Sequence, residues 1–342
     1  MTPGTSVPPG LDLDRLHKWL SNELPSVGGT ITAQLIAGGK SNLTFAVTDG
    51  AREWIVRRPP LGHVLATAHD MVREYRVLFA LQNTAVPVPR TYALCSDESV
   101  LGARFFVMER CAGTPYRKAE ELAALGSERI RTISERLVDI LVALHDVDPL
   151  AVGLEGLGRP EGFLGRQVSR WKKQLDASAH RSLPGAEELY RRLCDNLPPQ
   201  SDASIVHGDF RLDNLLVDDH DQVTAVLDWE MATLGDPLTD LALMLIYHRL
   251  GGTAGDAMSD VAAAPGFLTE DEIIGRYAEE SGRDCSSFGF YLALAAFKLA
   301  AILEGIHYRH LQGQTVGRGY DHIGAAVPPL LAAGLDAIEE YI

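Results

Sequence analysis

Between Ile205 and Ala242 the chain reads IVHGDFRLDNLLVDDHDQVTAVLDWEMATLGDPLTDLA, and no other stretch limits its possible folds so strongly. Asp209 is followed five residues later by Asn214, and Asp228 stands at the end of an apolar run. Ser204–Val206 reads as a short strand entering a loop and Leu215–Val217 as a strand leaving it. Asp218, Asp219, His220 and Asp221 form a polar turn, and Val223–Leu227 is a second β-branched run, so the pair reads as a hairpin. Asp209 and Asn214 then lie on the loop before the hairpin and Asp228 just after it. Folding the hairpin gathers their oxygens from both ends.

That set of groups matches one chemistry. Phosphoryl transfer asks little covalent help of a protein. It needs a carboxylate to orient the attacking hydroxyl and oxygen ligands to keep a metal on the phosphates. One Asp for the hydroxyl, with one Asn and one Asp for Mg²⁺, is the minimum, and sparse protein ligation is normal for this ion. The plain alternative is a surface turn, since Asp and Asn are common turn formers. HxDxxxxN followed by an apolar-flanked Asp is much more specific than a turn requires.

HGDFRLDN resembles the HGDxxxxN loop, and LDWE the metal-binding IDW segment, of the phosphotransferase family that includes aminoglycoside and choline kinases, relatives of protein kinases. The resemblance implies an α+β, protein-kinase-like fold of two lobes: a small β-rich N-terminal lobe and a larger, mainly helical C-terminal lobe. It implies Asp209 as catalytic base, Asn214 and Asp228 as Mg²⁺ ligands, His207 as structural support, and ATP as phosphoryl donor. The wording GDFRLDNLL…LDWEMATLGDPLTDLA is most similar to a subgroup also found fused to acyl-CoA dehydrogenases and associated with phosphorylating 4-hydroxy acyl substrates.

Downstream, Asp236-Pro237 reads as a helix start, with Asp236 capping and Pro237 at the first helical position. The helix continues through Leu238–His248, apolar almost all round and therefore buried. Asp240 then lies inside it, where a charge is costly unless paired. The resemblance assigns Asp240 to bracing the loop backbone. The simpler reading is a first-turn carboxylate favouring the helix dipole.

Upstream, residues 1–10 are Pro/Gly-rich and expected to be disordered. Leu11–Leu24 has helical spacing, and Thr30–Ala37, Leu43–Thr48 and Glu53–Arg58 read as strands. The tip Gly38-Gly39-Lys40-Ser41-Asn42 joins the first two. Gly38, Gly39, Ser41 and Asn42 are candidates to lie over nucleotide phosphates with backbone N–H groups inward. GGKS also looks like the end of a Walker motif, but Gln34 occupies the earlier glycine position and a strand follows, so that site is rejected. Aligned with the kinase V-A-I-K run, Arg57 takes the place of the usual Lys, offering a planar fork instead of a point charge. Its expected partner is Glu74, on the helix Asp70–Gln82.

Thr91–Cys95 and Phe105–Met108 read as strands, and residues 109–113 as a hinge whose backbone near Glu109 and Cys111 is placed against the adenine edge. The division expected is therefore 1–108, a nucleotide-binding lobe; 109–113, a hinge; and 114–342, a catalytic and substrate-binding lobe. In the last of these, Arg129–His145, Phe163–Asp176, Pro184–Leu197, Glu270–Ser281 and Phe288–Gln312 carry helical patterns. Glu304, His307, Tyr308 and Arg309 are candidates for an acceptor pocket, and Lys298 or Arg309 for binding an acidic substrate. His307 and His310 have i, i+3 spacing, but with no third ligand visible a solvated or satisfied helix face is the better reading.

The 342 residues suffice for two lobes, and the formal charge of −15 argues against nucleic acid as the main partner. Residues 1–108 hold 10 basic against 9 acidic side chains, so the negative charge belongs to the remainder. An acidic lobe of this kind could attract a polycation such as an aminoglycoside, or simply solubilise the chain. No apolar stretch is read as a membrane span, and four scattered cysteines read as buried thiols, so a cytoplasmic protein is expected. The function expected is ATP- and Mg²⁺-dependent transfer of the γ-phosphoryl group to a hydroxyl of a small molecule. A hydroxy acid or hydroxyacyl-CoA is the acceptor the subgroup implies. An aminoglycoside acceptor and a non-catalytic nucleotide-binding pseudokinase remain the alternatives.

Overall fold

The computed structural model describes residues 8–24, 27–36, 42–61, 70–199, 203–251, 259–314, 320 and 322–340. Gly38, Gly39 and Ser41, the candidate phosphate-covering tip, lie outside the described residues. The chain forms two compact units, Met1–Ala112 with Thr224–Glu230, and Gly113–Val223 with Met231–Ile342. The division is not linear: the segment holding Asp228 belongs with the first unit.

In the first unit, α1 (Leu13–Glu23) starts at Asp12, whose side chain accepts from the Arg15 amide at 3.0 Å. It is followed by β1 (Thr32–Leu35), β2 (Leu43–Thr48) and β3 (Glu53–Arg58). Helix α2 (Met71–Leu81) is capped by Asp70, which accepts from the Val72 and Arg73 amides. Strand β4 (Thr91–Cys95), the short helix α3 (Glu98–Leu101) and β5 (Phe105–Glu109) complete it. The strands form one antiparallel sheet in the order β1-β2-β3-β5-β4. Phe45, Val47, Trp54, Val56, Phe105 and Val107 bury one sheet face against Leu16 and Leu20 of α1. Alternation along β2 and β3 turns the neighbouring positions, Thr44 and Arg57 among them, to the other face. Gly10, in the stretch expected to be disordered, is tied in: its carbonyl accepts from the buried Arg58 guanidinium at 2.5 Å.

The second unit is mainly helical. Its elements are α4 (Ala119–Ala123), α5 (Ser127–His145), α6 (Phe163–Ala177), α7 (Ala186–Asp195), β6 (Ser204–Val206), β7 (Leu215–Val217), β9 (Thr233–Gly235), α8 (Leu238–Leu250), α9 (Glu270–Ser281), α10 (Phe288–Leu311) and α11 (Val327–Glu340), while all of β8 (Val223–Val226) but Val223 falls in the first unit's segment. The α+β kinase-like class expected from the sequence is the class observed. Strands β6 and β9 pair antiparallel, Ser204 opposite Gly235 and Val206 opposite Thr233. Helix α10 is the hub, packing on α6, α7, α8 and α11. By length and composition α10 could cross a membrane, which the sequence reading did not recognise. With 83% of its most apolar window buried, it is a core helix of this unit. The four cysteines are free thiols; Cys95 is buried, whereas Cys194 is exposed, contrary to the expectation of burial.

Candidate active site

In the helical unit the segment after β6 is pinned peptide by peptide. Asp240, in the first turn of α8, is 1% exposed; it accepts from the His207 amide at 2.6 Å and the Gly208 amide at 2.7 Å. The Asp209 amide donates to His207 Nδ1 at 3.2 Å. Three consecutive N–H groups therefore end on side chains, and the loop cannot rotate without breaking buried hydrogen bonds. Asp240 is itself steadied by His145 Nε2 at 3.4 Å, and His145 Nδ1 meets the Tyr277 hydroxyl at 2.7 Å. Burial lowers the pKa of His145 despite the opposing pull of Asp240. Burial works against ionised Asp240, but His145, His207 and the Gly208 amide outweigh it and hold its pKa below the ordinary value.

The loop also needs Gly208. Its φ is +86°, and a Cβ there would lie 2.9 Å from both Cβ and the carbonyl oxygen of Met231. No other residue type fits that position unstrained.

Asp209 emerges from this frame partly exposed. The Asn214 amide nitrogen donates to the Asp209 backbone carbonyl at 2.8 Å and to its carboxylate at 3.1 Å. That turns the Asn214 amide oxygen away from Asp209, as an oxygen ligand for a hard cation requires. The Tyr247 phenol lies close to the Asp209 carboxylate, and burial with that carboxylate nearby pushes the phenol's pKa up. Asp240, Met244 and Tyr247 recur at helical spacing, so one face of α8 serves both the loop backbone and its carboxylate. Arg211 stacks on the Tyr247 ring at 4.6 Å, stands 3.6 Å from Asp209 and pairs with Asp213 at 2.9 Å. Lys298 of α10 donates to the Gly208 carbonyl at 2.9 Å.

In the sheet unit Arg57 is the centre. Its Nε stands 2.8 Å from Glu74, Nη1 donates to Thr44 at 3.3 Å, and Nη2 reaches Asp228 at 2.5 Å. Glu74 is 2% exposed, and burial, helped by Asp228 and Glu230, pushes its pKa up to about 7 against the pull of Arg57. Asp228 has φ +67°, a left-handed conformation uncommon outside glycine. Asn42 is 1% exposed, and its amide donates to Glu230 at 3.1 Å. It is thus engaged by a side chain that the sequence reading did not consider. In the expected hinge, the Glu109 N–H is spent on the Arg90 carbonyl at 2.8 Å, and the Ala112 carbonyl accepts from Thr224. Burial raises the Cys111 thiol to about 12.

Some expected groupings are absent. Glu304, a candidate for the acceptor pocket, is fully buried and bound by Arg181 at 2.9 and 2.5 Å, a structural pair inside the helical unit. His307 packs against Gly324 and near His180, away from any ligand set. Among the described residues no three His, Cys, Asp or Glu side chains are grouped to hold a metal. Sequence reasoning missed His145, Tyr277, Tyr247 and Arg211. For Tyr247 the spacing from Asp240 was a usable signal, and Arg211 lies within the motif itself.

Residues 32–273 match the model of the phosphotransferase enzyme family. The chain belongs to that family. Its members transfer phosphoryl groups to small molecules. Acyl-CoA dehydrogenase family member 11 of Gallus gallus is 35% identical over 340 residues, covering 95% of this chain and 43% of its own length. Family member 10 of Mus musculus is 36% identical over 308 residues, covering 88% and 29%. The chain thus spans less than half of these curated relatives. A Ralstonia eutropha crystal structure, provisionally described as an aminoglycoside phosphotransferase, superposes with a TM-score of 0.85 at 31% identity, covering 97% of this chain and 99% of that one. A macrolide 2′-phosphotransferase from Brachybacterium faecium shares the fold, with a TM-score of 0.60 at 19% identity over 93% of this chain and 99% of that one.

Proposed function

We propose that this member of the family is an ATP- and Mg²⁺-dependent kinase of a small-molecule hydroxyl, and that its acceptor carries an anionic group, as a hydroxy acid or hydroxyacyl-CoA does. The observation that carries the reading is Asp209, presented on a loop whose preceding N–H groups all end on Asp240 and His207. A carboxylate held this rigidly suits orientation of an attacking hydroxyl. The hydroxyl oxygen attacks the γ-phosphorus, the bond to the bridging β-γ oxygen breaks with ADP as leaving group, and the hydroxyl proton passes to an Asp209 oxygen. The Asn214 amide holds the Asp209 carboxylate, with the Arg211 charge 3.6 Å away. Arg57, kept by Glu74, binds phosphate oxygens through its planar fork. Asn214 and Asp228 would offer oxygen ligands to Mg²⁺, which would neutralise charge on the phosphates. Related folds support the donor: an aminoglycoside phosphotransferase of 14% identity is known with AMP-PNP and hygromycin B. The four free thiols fit a reducing compartment, and we place the reaction in the cytoplasm.

For an anionic acceptor speak the cations Arg211 and Lys298 near Asp209, with Asp213 paired to the first and Asp240 acting on the second. Relatives fused to acyl-CoA dehydrogenases support the same class. An aminoglycoside is the second reading, favoured by the description of the Ralstonia eutropha structure. The test is ADP formation from Mg²⁺-ATP with a panel of hydroxy acids, hydroxyacyl-CoAs, aminoglycosides, choline and sugars, with Asp209→Asn as control. Hydroxy-acid- or hydroxyacyl-dependent ADP that vanishes in the variant is expected. Turnover with aminoglycosides alone would replace the acceptor, and undiminished turnover in Asp209→Asn would sink the mechanism.

A further inference from the structure

Helix α10 is apolar along nearly its whole length, and Lys298 breaks the pattern in its middle. An ammonium in such surroundings is costly, and burial indeed lowers its pKa while Asp209 and Asp240 pull it back up. Three features offset that cost. Nζ donates to the Gly208 carbonyl at 2.9 Å, it lies 5.6 Å from the centre of the Trp171 ring on α6, and the two carboxylates are nearby.

The carbonyl it takes is a particular one. The peptide between Gly208 and Asp209 has its N–H bonded to His207 Nδ1 and its C=O bonded to Lys298. The preceding two N–H groups belong to Asp240. Asp240 and His207 act through amide hydrogens alone, which leaves the peptide plane free to tilt about them. A donor on the carbonyl removes that freedom. Gly208, at φ +86°, is the residue with the widest alternative conformations in the loop, so an outside restraint matters most there.

We propose that Lys298 is a positioning residue for Asp209: from α10 it locks the Gly208–Asp209 peptide and so sets the direction of the Asp209 carboxylate. The functional part of this inference rests on the kinase reading above; the positional part does not. Two measurements keep them apart. The first is hydrogen–deuterium exchange of Lys298→Met, which keeps the side chain's length and removes its donor. Faster exchange confined to the amides of residues 206–210, with α9 and α11 unchanged, is expected. The second is steady-state kinetics with Mg²⁺-ATP and the acceptor that the panel selects, or water if none does. A fall in kcat of roughly 10- to 100-fold with KM for ATP unchanged is expected, since small misplacement of a reacting group costs about that much.

Unchanged exchange in the loop would overturn the proposal, as would faster exchange spread evenly over the helical unit, which would mark an ordinary packing role. Loop-confined exchange with kcat unchanged would overturn its functional half. If the wild type forms no ADP at all, the kinase reading fails while the exchange result still decides the positional claim. Should Lys298→Met fail to fold, Lys298→Leu, which also lacks a donor, is read in the same way.

Discussion

Arg57 Nη2 stands 2.5 Å from Asp228, residues 171 positions apart in the chain, while Nε of the same guanidinium is held by Glu74. A lysine at this position could satisfy one carboxylate at short range; the fork satisfies both. The substitution of Arg for the usual Lys is therefore built into the site, with Thr44 completing the set of partners.

Arg57→Lys keeps the charge and loses the second direction. KM for ATP is expected to rise about tenfold, equivalent to one charge-assisted hydrogen bond of roughly 1.5 kcal/mol. Stability is expected to fall slightly, because one buried carboxylate loses a donor. Steady-state kinetics alongside urea unfolding separates the two effects. An unchanged KM would remove Arg57 from phosphate binding.

Glu74 gives a pH dependence whose direction follows from burial. Its native pKa is about 7, above the ordinary 4.5, so the folded state binds this proton more readily than the unfolded state. The corresponding stability is fully present below about 4.5 and is lost as pH rises through about 7. Glu74→Gln removes this loss, so the stability of the variant relative to wild type is expected to rise across that window by at most about 3 kcal/mol. Chemical unfolding of both proteins from pH 5 to about 8 measures it. A flat difference would show that Arg57 keeps Glu74 ionised throughout.

Asp240→Ala strands the buried His207 and Gly208 amides and the His145 ring. A loss of about 3–5 kcal/mol is expected, in the range for breaking a buried charged network. Turnover should fall even in the fraction that remains folded. A variant with wild-type unfolding free energy would contradict the bracing geometry.

Gly208→Ala combines positive φ with a Cβ 2.9 Å from Met231. Destabilisation of about 1–3 kcal/mol is expected, with the melting temperature as readout. Tolerance at wild-type stability would mean that the loop has another low-energy path past Met231.

Glu304→Gln distinguishes a structural pair from an acceptor ligand. The carboxylate is fully buried on Arg181, so about 1–3 kcal/mol of stability should be lost with acceptor KM unchanged. A change in acceptor KM at constant stability would return Glu304 to the pocket.

Local pattern alone was enough for much of this molecule. Leu43–Thr48, Glu53–Arg58, Thr91–Cys95 and Glu270–Ser281 were legible to the residue, because alternation, capping and helical spacing are properties of neighbouring side chains. The same reasoning found the loop HGDFRLDN, since its chemistry is carried by residues five apart. It did not find β9, a three-residue strand with meaning only beside β6. Nor did it find α11, whose Pro328 and Pro329 sit in a first turn that needs no such N–H groups.

The sequence by itself determined which residue types are available for phosphoryl transfer and which helices and strands present them. Tertiary structure decided their company: Arg57 beside Asp228, Lys298 on the Gly208 carbonyl, Arg211 over the Tyr247 ring, and Glu304 withdrawn into an ion pair with Arg181. The physical reason is range. Propensity and periodicity act over a few residues, whereas a buried charge is stable only where packing of distant elements brings it a partner, and that packing is a property of the whole chain.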